Sequence, residues 1–263
     1  MPNSVLTKDF GSAGNRKTMT FSFWVKRNSL GADGDQLIGD DQTAYPSHFI
    51  VFNSSDQLDI RSQTGVSGAT LRFTTNRVFR DMTSFYHIMV VIDTTQATAS
   101  NRLKVYVNGV QQTSFATSTQ SNGFGQNTDT HFNEGAKNEL IGKYSSAYAN
   151  FNLAHYYFID GTALTPATFG ETDSTTGEWK PKLSVSPTYG NQGYLLKFES
   201  AGALGTDSSG NSKTFTVNGS LKQSVSTVTN LFCTLDANQT HTATDVRHAG
   251  TSLYGRNAGS SLG

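Results

Sequence analysis

The sequence is short of several things, and each shortage excludes something. Cys233 is the single cysteine in 263 residues, so no disulfide can form within the chain and a disulfide-stapled secreted scaffold is ruled out. No apolar run approaches the length of a membrane-spanning helix. The opening MPNSVLTKDF has no apolar h-region, which leads us to expect synthesis in a cytosol without a secretory signal, and no membrane insertion. Charge is balanced, with Lys+Arg 20 against Asp+Glu 20, and no block of like charge stands out. A phosphate-tracking surface is therefore not expected, nor is a nucleic-acid partner. Only 35% of residues are hydrophobic, but 17 Phe and 10 Tyr make that fraction unusually aromatic. Such a mixture suits thin sheets joined by polar loops better than a thick helical core.

What is present is strand pattern. In residues 86–92 (YHIMVVI) both alternating sets are largely apolar: Tyr86, Ile88, Val90 and Ile92 on one face, Met89 and Val91 on the other. A strand of this kind sits mid-sheet with cover on both sides. Residues 102–107 instead set Leu103, Val105 and Val107 against Arg102, Lys104 and Tyr106, as a half-exposed strand should. Asn108-Gly109 then supplies the positive φ angles of a type I′ hairpin turn.

Around this unit the chain reads as about a dozen short strands separated by turn residues, with no helix longer than two turns. Residues 19–27 (MTFSFWVKR), 36–39, 47–52, 57–62, 70–74, 139–142, 153–160, 193–199 and 213–218 are the further strands. Residues 116–137 and 143–152 read as loops, the first long enough to be functional or held by a neighbouring chain. Residues 164–169 suggest a short helical turn with Thr165 as N-cap and Pro166 at its first position. The expected organisation is an arm or loose first strand over 1–18, a domain over 19–224, and a polar extension over 225–263. The fold class is all-β, an antiparallel sandwich or jelly roll.

The blocks FSFWVKRNS, YHIMVVIDTT with LKVYVNGV, and ELIGKYSS with LAHYYFIDGTALTP resemble, in order and spacing, laminin G-like domains of the concanavalin A-like lectin/glucanase superfamily. The run DGTALTPATFGETDSTTGEWKPK, with YGNQGYLLKF and LGTDSSGNSKTFTVNG, is similar to versions of this domain in structural proteins of tailed bacteriophages and other large DNA viruses. The resemblance implies a concanavalin A-like jelly roll and a virion component: a fibre, appendage or capsid decoration, assembled as a homo-oligomer such as a trimer with other virion proteins. In many such domains the segment like residues 194–219 comes first, so the order here implies a circular permutation. Residues 194–198 and 214–217 would then lie beside residues 21–25.

The superfamily contains glycoside hydrolases, which need two carboxylates held a few ångströms apart. The nearest match, Glu171 with Asp173, lies in a turn-like segment. Asp33, Asp35, Asp40 and Asp41 also sit among turn residues, so no catalytic residue is expected. None of the six histidines shows metal-ligand spacing, and His87 and His155 read as packed residues. Asp207 and Asn211 offer oxygen ligands for calcium, but the favoured reading is that Asp207 opens a tight turn closed by Gly210; no cofactor is required. Carbohydrate binding is the function most often grafted on this fold, and it needs an exposed aromatic beside amides or carboxylates. Tyr144, Tyr148, Asn150 and Asn152 share one loop, and Asp41, Tyr45 and His48 another. If the two loops share a rim they make a site for a cell-surface glycan. The other reading packs these tyrosines against a neighbouring subunit. Trp24 and Trp179 read as core and strap residues. Three functions remain open: a virion structural protein, a soluble lectin, and a hydrolase that has lost or relocated its acids.

Overall fold

A computed structural model describes residues 4–32, 34–41, 44–65, 70–121, 125–135, 137–182, 184–224, 228, 244–249 and 252–257. The strands, in chain order, are β1 (Val5–Lys8), β2 (Thr18–Arg27), β3 (Asp35–Gly39), β4 (Ser47–Phe52), β5 (Gln57–Gln63), β6 (Thr70–Val78), β7 (Tyr86–Asp93), β8 (Leu103–Val107), β9 (Val110–Gln112) and β10 (Phe115–Ser121). They continue with β11 (Glu139–Ile141), β12 (Lys143–Tyr144), β13 (Ala147–Tyr148), β14 (Phe151–Asp160), β15 (Gly170–Thr172), β16 (Trp179–Pro181), β17 (Tyr194–Leu196) and β18 (Thr216–Asn218). Two further strands, β19 (Thr244–Ala249) and β20 (Ser252–Asn257), pair as a hairpin. That hairpin belongs to a separate unit, residues 230–263. Cys233 and His241 lie outside the described residues.

Two antiparallel sheets carry the fold. One has eight strands in the order β10-β6-β5-β4-β3-β11-β1-β18, the other six in the order β17-β14-β2-β7-β8-β9. Among the described residues no helix is long and apolar enough to cross a membrane; the helical pieces are single 3₁₀ turns at Ala99–Asn101 and Pro166–Thr168, the second with Thr165 as N-cap.

Alternation decides which residues meet. Phe21, Phe23, Val25, Ile88, Val90, Val105 and Phe158 of the six-stranded sheet join Ile38, Ile50, Phe52, Leu58, Ile60 and Phe73 of the eight-stranded sheet in one buried cluster. Each such side chain contributes about 1.5–3 kcal/mol on leaving water. The other face of the six-stranded sheet is also covered. Met89, Val91, Tyr157, Ile159 and Leu195 form a second cluster with Phe169, against which Leu164, Val185 and Tyr189 pack. This is why β7 is apolar on both faces, and why its residues 86–92 are all buried. The turn after β8 has φ 49° at Asn108 and 78° at Gly109, both positive as a type I′ turn requires.

A strap completes this outer cover. The Trp179 ring stacks on His87, which stacks on Trp24 (ring centroids 5.9 and 4.9 Å). Trp179 Nε1–H donates to His87 Nδ1 at 2.9 Å, and His87 Nε2 lies 2.9 Å from Ser22 Oγ. An indole can only donate, so Nδ1 is the acceptor and the ring proton sits on Nε2. Burial pushes the imidazole pKa down to about 3.

Several expectations need correction. Val5–Lys8, within the segment read as an arm or loose strand, is paired on both sides, to β11 and β18. Residues 116–137 are not one long loop: β10 runs to Ser121 and pairs with β6. Residues 143–152 hold the β12–β13 hairpin. The late strands do not lie beside residues 21–25, because β14 takes that place across eight register pairs with β2. Instead β17 adds to the outside of β14, and β18 adds to β1 at an edge of the other sheet.

Candidate functional site

The site begins with the parity of β4 and β5. Ile50, Phe52, Leu58 and Ile60 point into the core, so the intervening Ser47, Phe49, Arg61 and Gln63 point outward. Register pairs Ser47 with Gln63 and Phe49 with Arg61, and Gln63 Nε2 donates to Ser47 Oγ at 3.1 Å. The Arg61 guanidinium carbon lies 4.9 Å from the centre of the Phe49 ring, a cation–π contact. Tyr144 meets Phe49 edge-on, at 5.3 Å and 86°. The hairpin that carries Tyr144 packs over Gly34, where an added Cβ would collide with the tyrosine ring. Tyr45, 46% exposed, closes the opposite wall, its loop held by Lys137 Nζ, which donates to the Ala44 and Pro46 carbonyls.

The result is a groove of about 340 Å³ with Phe49 and Arg61 in its floor and Tyr45, Tyr144 and Ser145 in its walls. That volume is in the range of small-ligand clefts, about 300–1,000 Å³. Beside it, Asp59 of β5 accepts from Arg61 Nη2 (2.8 Å), Arg72 Nη2 (3.4 Å) and Thr74 Oγ1 (3.2 Å). Arg61 and Arg72 are direct cross-strand partners.

Of the candidate sugar-binding residues, the structure brings Tyr45 and Tyr144 together on this one groove. The others lie elsewhere. Tyr148 is 37% exposed, with Lys143 Nζ over its ring at 5.5 Å, and is not a groove wall. Asn150 N–H donates to Asp35 Oδ1 and its carbonyl accepts from Asn28 N–H. Asn152 bonds Asn28 and Ser224 through its side chain. Asp41 is exposed and is also not a wall. His48 is buried, on the inward parity of β4. Ser47, Phe49, Arg61 and Gln63 are not among the sequence candidates; their signal is the outward set of residues 47–63, visible once the two strands are set in register.

His48 belongs to a buried polar cluster. Its Nε2 lies 2.9 and 3.0 Å from the Glu139 carboxylate oxygens, and its Nδ1 3.9 Å from Asp40 Oδ2. Asp40 in turn pairs with Lys137 at 3.2 Å. Burial pulls the His48 pKa down, but the Glu139 charge and hydrogen bond, with smaller help from Asp40 and Glu134, outweigh it and raise the imidazole above its ordinary value. The cavity touching Glu139, lined by Phe10, Phe21 and Tyr194 among others, measures about 10 Å³, room for about one water.

A second charged cluster surrounds Arg27, which is fully buried. It donates to Asp56 Oδ1 (2.8 Å), Asp35 Oδ2 (3.3 Å) and the Phe79 carbonyl (2.9 Å). Burial raises the Asp35 pKa against the bonds from Asn150 and Arg27. For Asp56 burial acts in the same direction, but bonds from Gly31 N–H, Arg80 and Arg27 outweigh it and hold the carboxyl low.

The other sequence candidates have local partners. Lys180 lies 3.8 Å from Glu171 and 2.8 Å from Asp173, and Asp173 Oδ1 also accepts from Thr175 and Thr176 N–H. The Lys180 bond, then those backbone bonds, hold the Asp173 carboxyl well below the usual carboxylate range. Asp207 accepts from the N–H groups of Leu195, Ser209 and Lys213 and from Ser209 Oγ–H. Asn211 Nδ2 donates to the Gly190 and Gly193 carbonyls. Among the described residues no group of three or more His, Cys, Asp or Glu could hold a metal ion. Asp33 lies outside them.

Two antiparallel sheets packed face to face, with an aromatic-walled groove on the outer face of one, define a lectin-like β-sandwich. A family profile described as the concanavalin A-like lectin/glucanases superfamily, of laminin G type, matches residues 3–168. The match covers more than half of the chain, and the protein belongs to this superfamily. No curated protein matches it. Among solved structures, the heptameric SAP-like pentraxin of Limulus polyphemus is similar at 14% identity and a TM-score of 0.40, over 62% of this chain and 72% of that one. Domain 4 of the arabinanase AbnA from Geobacillus stearothermophilus, solved with arabinotriose, aligns at 17% identity and a TM-score of 0.36, over 61% and 66%. The Trypanosoma rangeli sialidase, in complex with the inhibitor DANA, aligns at 13% identity and a TM-score of 0.37, over 58% of this chain. The chain spans only 22% of the sialidase's length.

Proposed function

We propose that the protein is a non-enzymatic glycan-binding module, and that it works as a structural component of a virus particle. The observation that carries the binding half is the groove, in which two tyrosines from separate loops meet over a floor of Phe49 and Arg61. A tyrosine face takes the apolar face of a sugar ring, and Ser47, Gln63 and Arg61 supply hydrogen-bonding groups for its hydroxyls. The reading of no catalysis is supported by the carboxylates themselves. Glu139 is bonded to His48 and lines a cavity of about 10 Å³, too small for a sugar, Asp40 is paired with Lys137, and Glu171 and Asp173 are tied to Lys180. With Asp207 engaged by backbone donors, binding would need no calcium.

The virion half of the proposal rests on the resemblance of residues 160–219 to domains of viral structural proteins. In this role the sandwich would attach the particle to a host-surface glycan, or cement neighbouring subunits, as part of a homo-oligomer. A glycan array tests the binding half. Wild-type protein should bind a defined set of saccharides with chelator present, and Tyr45→Ala should lose at least about tenfold in affinity, about 1.4 kcal/mol. No binding on the array, or a Tyr45→Ala protein that binds unchanged, would overturn the site. Mass spectrometry of purified particles tests the virion half, which fails if the chain is absent from them.

A further inference from the structure

Arg61 and Arg72 face each other across β5 and β6, and both turn to the same carboxylate, Asp59. Cross-strand neighbours of like charge repel, and one carboxylate cancels only one of the two guanidiniums. Asp59 is 4% exposed, and one of its oxygens is already shared with Thr74. The Nε of each arginine has no hydrogen-bond partner. The groove itself is lined by Arg61 and by no carboxylate. The nearby acid Asp40 is paired with Lys137 and does not line the groove. The floor of the groove therefore carries one positive charge in excess, at the place where Arg61 lies flat on Phe49.

Resting on the glycan-binding reading above, we infer that the groove selects an acidic saccharide, a sugar unit bearing one carboxylate or sulfate group set against Arg61. A carboxylate or a sulfate presents two oxygens that can take two parallel N–H bonds from a guanidinium fork, and the Tyr45 and Tyr144 walls leave space for the ring that carries it. Arg72 acts from outside the groove: it draws on the same Asp59 oxygen, so that Arg61, although bonded to Asp59 through Nη2, keeps positive charge to set against a ligand. Without Arg72, Asp59 would neutralise Arg61 alone.

The test is an array of matched glycans in three arms: neutral, carboxylated (sialylated or uronate) and sulfated. Binding is followed at about 50 mM and about 500 mM salt, between which the screening length falls several-fold. Wild-type protein should prefer one acidic arm over its neutral match by at least about tenfold, and the preference should shrink at high salt. The arm that binds identifies the anion. Arg61→Gln should lose the preference. Arg72→Gln, whose side chain lies outside the groove, should reduce it several-fold while changing affinity for neutral glycans by less than about twofold; urea midpoints would verify that both variants fold. Equal binding of neutral and acidic glycans, or an Arg72→Gln protein with its preference intact, overturns this inference and leaves the glycan-binding reading standing. Absence of binding in all three arms, or binding that ignores Tyr45→Ala, overturns that reading as well.

Discussion

Acid should destabilise this fold well above the pH at which its carboxylates titrate, through His87. Its ring is fully buried between Trp24 and Trp179, and its Nδ1 already accepts the indole proton of Trp179. Protonating Nδ1 would set two donors against each other at a fully buried position. Burial lowers the pKa to about 3, against about 6.5 in the unfolded chain. A histidine depressed in the folded state contributes stability that is fully present above about pH 6.5 and is lost as pH falls toward the folded value. Well below pH 6.5 each pH unit costs about 1.4 kcal/mol, so acidification from pH 6.5 to pH 4.5 should remove roughly 2 kcal/mol. That is a large part of the 5–15 kcal/mol typical of a domain. Burial also lowers His131 and His155, which adds to the same slope. Asp56, Asp81 and Asp93 are held low, so their losses fall below about pH 4. Urea unfolding at half-unit pH steps measures the slope. His87→Phe keeps an aromatic ring in the stack but cannot titrate, so its stability should fall less steeply over this window. Wild-type and His87→Phe curves that run parallel from pH 7 to pH 4.5 would refute the reasoning.

Two further predictions concern the buried charges. Arg27→Met should cost about 3–5 kcal/mol, because it leaves Asp35 and Asp56 buried without their shared cation; Arg27→Met combined with Asp35→Asn should recover part of that, and a single variant within about 1 kcal/mol of wild type in urea would contradict the account. His48 has the opposite sign to His87, since its folded pKa is raised: the stability it contributes is fully present below about pH 6.5 and is lost as pH rises through the folded value. His48→Gln should therefore flatten the alkaline side of the pH–stability curve, and an unchanged alkaline slope would count against the ion pair with Glu139.

The strands that build the core were legible because their alternation carries large side chains. Residues 86–92 and 102–107 declared, respectively, a strand covered on both faces and one covered on a single face, and burial follows that pattern. β10 was not legible. Phe115–Ser121 is a run of Thr, Ser, Gln and Ala after one Phe, without the apolar alternation that marks a strand, and it is ordered by its ladder with β6. The place of β17 was misjudged for a related reason. Alternation says which face a residue takes but not which strand will be its neighbour, and ten-residue β14 outcompetes three-residue β17 for the edge of β2. For the site, Tyr45 and Tyr144 were found as exposed aromatics in loops. The floor was not, because Phe49 and Arg61 lie within strands, and only the register of β4 with β5 sets them side by side.

The two outer faces of the sandwich are built differently, and the difference favours the proposed site on the eight-stranded sheet. On the six-stranded sheet, the outward residues Met89, Val91, Tyr157 and Ile159 are apolar and meet Phe169, while Trp179 seals His87 beside them. A ligand could reach that face only by displacing a packed cluster. On the eight-stranded sheet, the outward residues of β4 to β6 include Ser47 and Gln63, which bond each other, and Arg61 and Arg72, which share Asp59, with a groove open beside them. Substitutions there change groups that the core does not touch, since the inward residues of the same strands form the cluster around Ile50 and Ile60. In the proposed glycan site, therefore, substitutions at Tyr45, Arg61, Gln63 and Tyr144 should alter binding with little effect on the packing that holds the two sheets together.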